Sequence, residues 1–200
     1  MRLYDFEYSG NCYKVRLFLA LIGQEAERVA VDPMRGATRA AAFRTVSPRG
    51  KIPVLADGPV TLWDSTAILV YLARRYAGPG WLPDDPVAEA QVMQWLAVAQ
   101  NELLYGLARA RLTRRFELGF DLEACQAEGR QGLEVLEQAL GEHPWLVDEP
   151  TLADIACYPY VGLAPEAGIE LGPYPGIRAW LSRIEGLPGY IPMPGLERSD

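Results

Sequence analysis

Residues 77–86, AGPGWLPDDP, split the chain into two stretches whose apolar residues repeat differently, and that split restricts the folds open to it more than any other feature. Ahead of it, RLYDF (residues 2–6) and ERVAVD (residues 27–32) read as short strands. Between them Val15, Phe18, Leu19 and Ile22 fall at helical spacing, and strand, helix, strand implies a parallel pair. A helix over residues 37–45 is expected next. In KIPVLADGPVTLW two strand-like runs flank Asp57-Gly58, a strong hairpin signal, so an antiparallel pair joins the parallel one. DSTAILVYLARRY then puts Ile68, Tyr71, Leu72 and Tyr76 on one helical stripe, with Ser65 near its start. Behind the split nearly every pattern is helical. Val92, Trp95, Leu96, Ala99 and Leu103 form one stripe, Leu122, Cys125, Leu133, Leu136 and Leu140 a second, and Ile177, Trp180, Leu181 and Ile184 a third. The expected organisation is a mixed α/β domain over residues 1–77 and an all-helical domain over residues 87–200, ending in an irregular tail, GLPGYIPMPGLERSD.

Half of the 200 residues are apolar, enough for a substantial core. The net charge of −7 argues against nucleic acid or an anionic membrane surface as partner, because both repel an acidic protein at long range. Arg109, Arg111, Arg114 and Arg115 are the one basic run, read as a solvated helix end rather than an anion site. Cys12, Cys125 and Cys157 form no CxxC pair and leave one over after any pairing, which suits thiols in a reducing, cytoplasmic setting. No basic-then-apolar leader opens the sequence and no apolar run reaches bilayer length, so neither export nor membrane insertion is expected. The single histidine, His143, leaves no material for a serine triad or a histidine-based metal site, and no metal is expected.

Three places carry chemistry. Tyr8-Ser9-Gly10-Asn11-Cys12 lies where the first helix begins, and unpaired N–H groups at a helix start stabilise an anion or thiolate. A dithiol pair would need cysteine where Ser9 stands, so Ser9 is either a plain helix cap or a hydroxyl that donates to a ligand's sulfur. At Lys51-Ile52-Pro53 a proline opens a strand; with a cis bond, the Ile52 backbone would be offered to an extended peptide. Trp63-Asp64-Ser65 opens the next helix, where N–H groups and the Ser65 hydroxyl suit a carboxylate and Asp64 suits an ammonium group, or where both residues simply cap.

SGNCYKVRLFLALIG, PRGKIPVLADG and LWDSTAILVYLARRY, in that order and spacing, resemble the first domain of the glutathione transferase superfamily, and EPTLADIACYPYV and YPGIRAWLSRIEGLPGY extend the likeness over nearly the whole chain. The resemblance, closest to serine-type bacterial members, implies a thioredoxin-like βαβαββα domain followed by an all-α domain. It implies glutathione as co-substrate, with Ser9 activating the thiol, Lys51, Ile52 and a cis Pro53 along the peptide, and Asp64 and Ser65 at its γ-glutamyl end. It also implies a small, mostly apolar electrophilic substrate and a homodimer. Glutathione-dependent isomerase, reductase or peroxidase activity, or a non-catalytic binding module, remain alternatives on one scaffold. Many members carry glutamate where this chain has Asp64. Tyr4, Tyr8 and Cys12 stand as rivals to Ser9, with Cys12 placed for packing inside the first turn. Thr151-Leu152-Ala153-Asp154 reads as a capping signal, which makes Asp154 structural. Leu104, Tyr105 and Arg109 are candidates for the second pocket, although helical spacing alone puts Leu104 and Tyr105 in the core and Arg109 in solvent.

Overall fold

The computed structural model describes residues 1–196. Four short strands, β1 (Arg2–Asp5), β2 (Glu27–Ala30), β3 (Val54–Asp57) and β4 (Val60–Trp63), form one sheet in the order β2-β1-β3-β4. β1 and β2 are parallel; β3 is antiparallel to β1 and to β4, so that Leu55 stands opposite both Leu3 and Leu62. Gly58, at φ 56°, makes the expected tight turn between β3 and β4. β2 is shorter than expected: Val31 still donates to the Asp5 carbonyl at 2.8 Å, but Pro33 has no N–H to continue the ladder.

Helix α1 (Gly10–Leu21) connects the parallel strands, and α3 (Ser65–Leu72) follows the hairpin and runs on into a wide turn, Ala73–Ala77. Val15, Phe18, Ile68, Leu69 and Leu72 are fully buried, each worth about 1.5–3 kcal/mol as an isolated transfer from water. Of the expected stripe, Tyr71 and Tyr76 are only half-buried, and both phenols donate to Asp57. The helix expected over residues 37–45 is not continuous. Ala40 is extended (φ −59°, ψ 137°) and divides a 3-10 turn, Ala37–Arg39, from a single helical turn, α2 (Ala41–Arg44). The element order is βαβαββα, a thioredoxin-like domain.

The second domain is helical throughout: α4 (Pro86–Gln100), α5 (Arg109–Phe116), α6 (Leu122–Glu142), α7 (Leu152–Gly162) and α8 (Pro175–Glu185). α7 is its axis, with every residue from Leu152 to Val161 buried and contacts to α1, α4 and α8. Asp85 caps α4, accepting from Val87 and Ala88 at 3.0 and 2.9 Å, with Pro86 at the first helical position, where its missing N–H is not required. Between α4 and α5 the chain opens into a wide, π-type turn, Glu102–Ala108, beside α6. Gly106 is required there, because a Cβ would collide with the Gly129 backbone. The end of the chain has no helix or strand from Gly186 to Leu196, yet Tyr190, Met193 and Leu196 are buried and Tyr13 Oη donates to the Ile191 carbonyl at 2.6 Å. The last four residues of the expected tail, 197–200, lie outside the described residues. Among the described residues no helix is long and apolar enough to cross a membrane.

Candidate functional site

A cleft of about 860 Å³ lies between the two domains, a size that suits a small organic ligand. Its first wall begins at Ser9, which caps α1 with extended backbone and accepts the Cys12 N–H at 3.2 Å. That bond occupies an acceptor lone pair. The hydroxyl's own proton has the neighbouring Cys12 sulfur and the cleft within its reach, and Ser9 lines that cleft.

The next part of the wall is the turn into β3. Buried Ser47 clamps it, accepting from the Lys51 N–H at 3.1 Å and donating to the Lys51 carbonyl at 2.8 Å. The following Ile52–Pro53 peptide is cis, and Lys51 and Ile52 face the cleft beyond it. At the end of β4, Asp64 adopts φ 82° and ψ 127°, a conformation that costs a non-glycine residue about 1–3 kcal/mol and signals a constrained position. Its carboxylate accepts from the Thr66 N–H at 2.9 Å and from Gln100 Nε2 at 3.2 Å, and faces Arg49 at 3.4 Å. Gln100 also donates to Thr66 Oγ1 at 2.7 Å, so the helical domain helps to hold this corner. Next to it, Ser65 is buried and its Oγ has no partner among the described residues. A desolvated, unbonded hydroxyl costs about 1–3 kcal/mol, which a ligand oxygen at the cleft would recover.

Cys12 does not compete with Ser9. It is fully buried, and burial pushes its thiol up to about 12, so it packs as a small apolar side chain. Tyr4 meets Phe43 edge to face, with ring centres 6.0 Å apart, away from the cleft. Tyr8 does line the cleft, but its ring is covered by Arg115, 5.3 Å from the ring centre.

The second wall comes from the wide turn and α5, and it corrects three sequence expectations. Leu104 is half-buried and still packs against the core, whereas Tyr105 is 44% exposed, because the extra residue in the π-type turn shifts the helical phase that placed it in the core. Arg109 is not simply solvated: its guanidinium lies 4.2 Å from the Tyr105 ring centre and 5.0 Å from that of Phe120. Arg111 departs furthest from a solvated helix end. It is 2% exposed, bonded through Nε to Glu166 at 2.5 Å and through Nη1 to the Tyr8 carbonyl at 2.9 Å.

Beneath the first wall, Lys14 of α1 is buried with Nζ 5.1 Å from the centre of the Tyr160 ring and no hydrogen bond among the described residues. Burial lowers its pKa from 10.5 to about 8, opposed by the field of Cys157 and Asp64. Between about pH 8 and 10.5 the unfolded chain therefore holds the proton that the folded chain has released, and stability rises with pH. Below that window the penalty, on the order of 3 kcal/mol, is present in full and the ring contact returns about 1 kcal/mol. Lys14→Met is expected to stabilise the protein by about 2 kcal/mol at pH 7 and to lose the rise toward pH 10.5. Urea unfolding at the two pH values checks this, and a variant no more stable than wild type at pH 7 refutes it.

The family models for the glutathione S-transferase N-terminal and C-terminal domains match residues 3–80 and 109–183. A maleylacetoacetate isomerase from Pseudomonas aeruginosa is 33% identical over 188 residues, 89% of this chain and 88% of its own. The chain belongs to the glutathione S-transferase family. A solved glutathione S-transferase from Pseudomonas fluorescens shares 38% identity and a TM-score of 0.91, over 96% of this chain and 98% of that one. The disulfide-bond oxidoreductase YfcG of Escherichia coli is 30% identical over 200 residues, 92% of this chain and 89% of its own. Glutathione is the co-substrate of this family. Ser9, Lys51, Ile52, Asp64 and Ser65 all border the one cleft, and Pro53 lies buried behind Ile52. Sequence reasoning missed Ser47, Arg49, Gln100 and the inward course of Arg111. Arg49, Gln100 and Arg111 have partners distant in the chain, and Ser47 bonds across an irregular turn to Lys51, so no local pattern marks any of them.

Proposed function

We propose that the protein is a glutathione transferase, in which Ser9 holds the sulfur of glutathione as a thiolate and the cleft presents a small, mostly apolar electrophile to it. One observation carries the reading: two cleft-lining hydroxyls, Ser9 at the cap of α1 and Ser65 with no partner among the described residues, bracket a cis Ile52–Pro53 turn in a single cleft. An extended tripeptide laid along that wall has its sulfur at the start of α1 and its γ-glutamyl carboxylate at the start of α3, where helix N–H groups favour negative charge. Asp64 then faces the ammonium group, and Lys51 the carboxylate at the other end. In conjugation the thiolate forms a carbon–sulfur bond and the electrophile's leaving group departs with the electron pair, or an activated double bond takes the pair up.

A second reading is favoured by the isomerase name of the Pseudomonas aeruginosa relative. The thiolate adds to a cis double bond, the adduct rotates, and the sulfur leaves again, so that glutathione is required but not consumed. Incubation of the purified protein with aryl halides, epoxides, hydroperoxides and maleyl compounds, with and without glutathione, separates the readings by product. Adducts support conjugation, and geometric isomers at constant glutathione support isomerisation. No glutathione-dependent product from any class, together with no heat of binding at millimolar glutathione, defeats both. Ser65→Ala is expected to weaken glutathione binding about tenfold with little change in kcat, because its contact is remote from sulfur. Calorimetry reads the affinity, and an unaltered Kd removes Ser65 from the site.

A further inference from the structure

We infer that the second substrate carries a carboxylate, seated on Arg111 at the helical wall of the cleft. The inference rests on the glutathione reading only in taking the opposite wall as already occupied. Among the described residues four cationic side chains line the cleft, Arg49, Lys51, Arg109 and Arg111, against one carboxylate, Asp64. Arg49 pairs with Asp64, and the tripeptide's own carboxylate takes Lys51. Arg109 and Arg111 of α5 are left facing the space where the electrophile must sit.

Arg111 is built to receive an anion. Its side chain is 3% exposed, and two of its three nitrogens are spoken for, Nε by Glu166 and Nη1 by the Tyr8 carbonyl. Nη2 is buried with no acceptor among the described residues. The Phe116 ring, 5.9 Å away, takes the face of the guanidinium and offers nothing to its N–H groups. Glu166 does not cancel the charge, because Arg115 shares it at 3.0 Å and one carboxylate faces two guanidinium groups. A buried N–H of a charged group is costly to leave unbonded, and a carboxylate oxygen is its strongest complement. The Tyr8 carbonyl places this seat next to Ser9 in the chain, so a carboxylate there is held beside the reacting sulfur.

Arg109 adds a second, outer charge. Its guanidinium makes no ion pair or hydrogen bond among the described residues, and its stacking between Tyr105 and Phe120 keeps it at the cleft. On α5 the two arginines are two positions apart and flank the apolar strip of Ala108 and Leu112, so an apolar body lies between two positive groups. Arg111 is the seat, and Arg109 draws anions toward it.

The test uses 3-nitrobenzoate and its neutral isostere 3-nitrobenzamide, titrated calorimetrically into the full-length protein at saturating glutathione and low salt. Wild type is expected to bind the benzoate at least about tenfold more tightly than the benzamide. Arg111→Lys keeps the charge opposite Glu166 but loses the planar fork, and is expected to lose most of that preference. Arg109→Gln should lose about threefold. Equal binding of the two compounds by wild type overturns the inference, as does a preference unchanged in Arg111→Lys. Turnover of matched 4-chloro-3-nitrobenzoate and 4-chloro-3-nitrobenzamide, each divided by its uncatalysed rate with glutathione, gives the second readout. An Arg111-dependent benzoate preference without glutathione-dependent turnover would sink the transferase reading and keep the seat. Turnover without anion preference would do the reverse.

Discussion

Ser9→Ala is expected to lower kcat/KM for glutathione conjugation about 100-fold at pH 7 while changing the glutathione Kd less than about threefold. The size of the loss separates two roles for the hydroxyl. A free thiol with a pKa of about 8.5 is only a few per cent ionised at neutral pH, so a site that lowers it by ~2 units raises the thiolate fraction ~20-fold or more. The same shift weakens the nucleophile about tenfold through a Brønsted slope of about 0.4–0.5, and the net gain is only a few-fold. If Ser9 acted through pKa alone, the alanine variant would lose a few-fold at pH 7 and overtake wild type near pH 9.5, where both thiols are ionised and the variant's is the stronger nucleophile. On the proposed reading Ser9 does more: its acceptor side is tied to the Cys12 N–H at the start of α1, and a hydroxyl fixed there that donates to a ligand's sulfur orients the sulfur as well as favouring its ionised form. The expected signature is therefore a loss that persists at pH 9.5, together with an apparent thiol pKa that moves back toward the free value. Recovery of wild-type rates at high pH would reduce Ser9 to an electrostatic role; full activity at pH 7 would remove it from the mechanism.

The parts of this molecule that sequence reasoning finds are those set by local periodicity. The parallel pair around α1 and the hairpin at Asp57-Gly58 follow from apolar spacing and one turn dipeptide. So do the buried faces of α4, α6 and α8, because a misplaced residue there exposes a leucine or buries a charge. Ser9, Lys51, Asp64 and Ser65 are legible only as a set, since each alone is an ordinary cap or surface residue. What fails is whatever depends on a distant partner or on an irregular backbone. Ala40 carries no sequence mark of the extended conformation that divides the segment over residues 37–45. The π-type turn at Glu102–Ala108 breaks the assumption of a constant 3.6-residue period, about one residue of phase being enough to move Tyr105 out of the core. Arg111 reads as one of four exposed arginines because its burial depends on Glu166 and on the Tyr8 carbonyl, the latter 103 residues away in the chain. The C-terminal residues up to Leu196 look like a loose tail because irregular backbone and tight packing are independent properties.

Asp154→Ala is expected to destabilise the protein by about 3–5 kcal/mol, a large part of the 5–15 kcal/mol that holds a typical domain folded. Asp154 is fully buried three residues beyond Thr151, and the two form a reciprocal capping box at the start of α7. Its carboxylate accepts from the Thr151 N–H at 2.9 Å, the Leu146 N–H at 3.2 Å and Trp180 Nε1 at 2.8 Å. One side chain thus ties the start of α7 to the preceding loop and to α8. Truncation leaves three buried N–H donors without an acceptor, each at about 1–3 kcal/mol, less what water entering the vacated space recovers. Trp180→Phe removes one of those bonds and leaves the carboxylate its other donors, so it should cost about 1–2 kcal/mol for the bond, well short of the alanine variant. The measurement is urea unfolding, with the midpoint falling at an unchanged m-value. Because α7 packs on α1, the damage should reach the cleft only through folding: at temperatures where Asp154→Ala is fully native, its glutathione Kd should equal that of wild type. A variant that keeps its unfolding midpoint but loses turnover would make Asp154 a participant in the chemistry, and the capping account of α7 would be wrong.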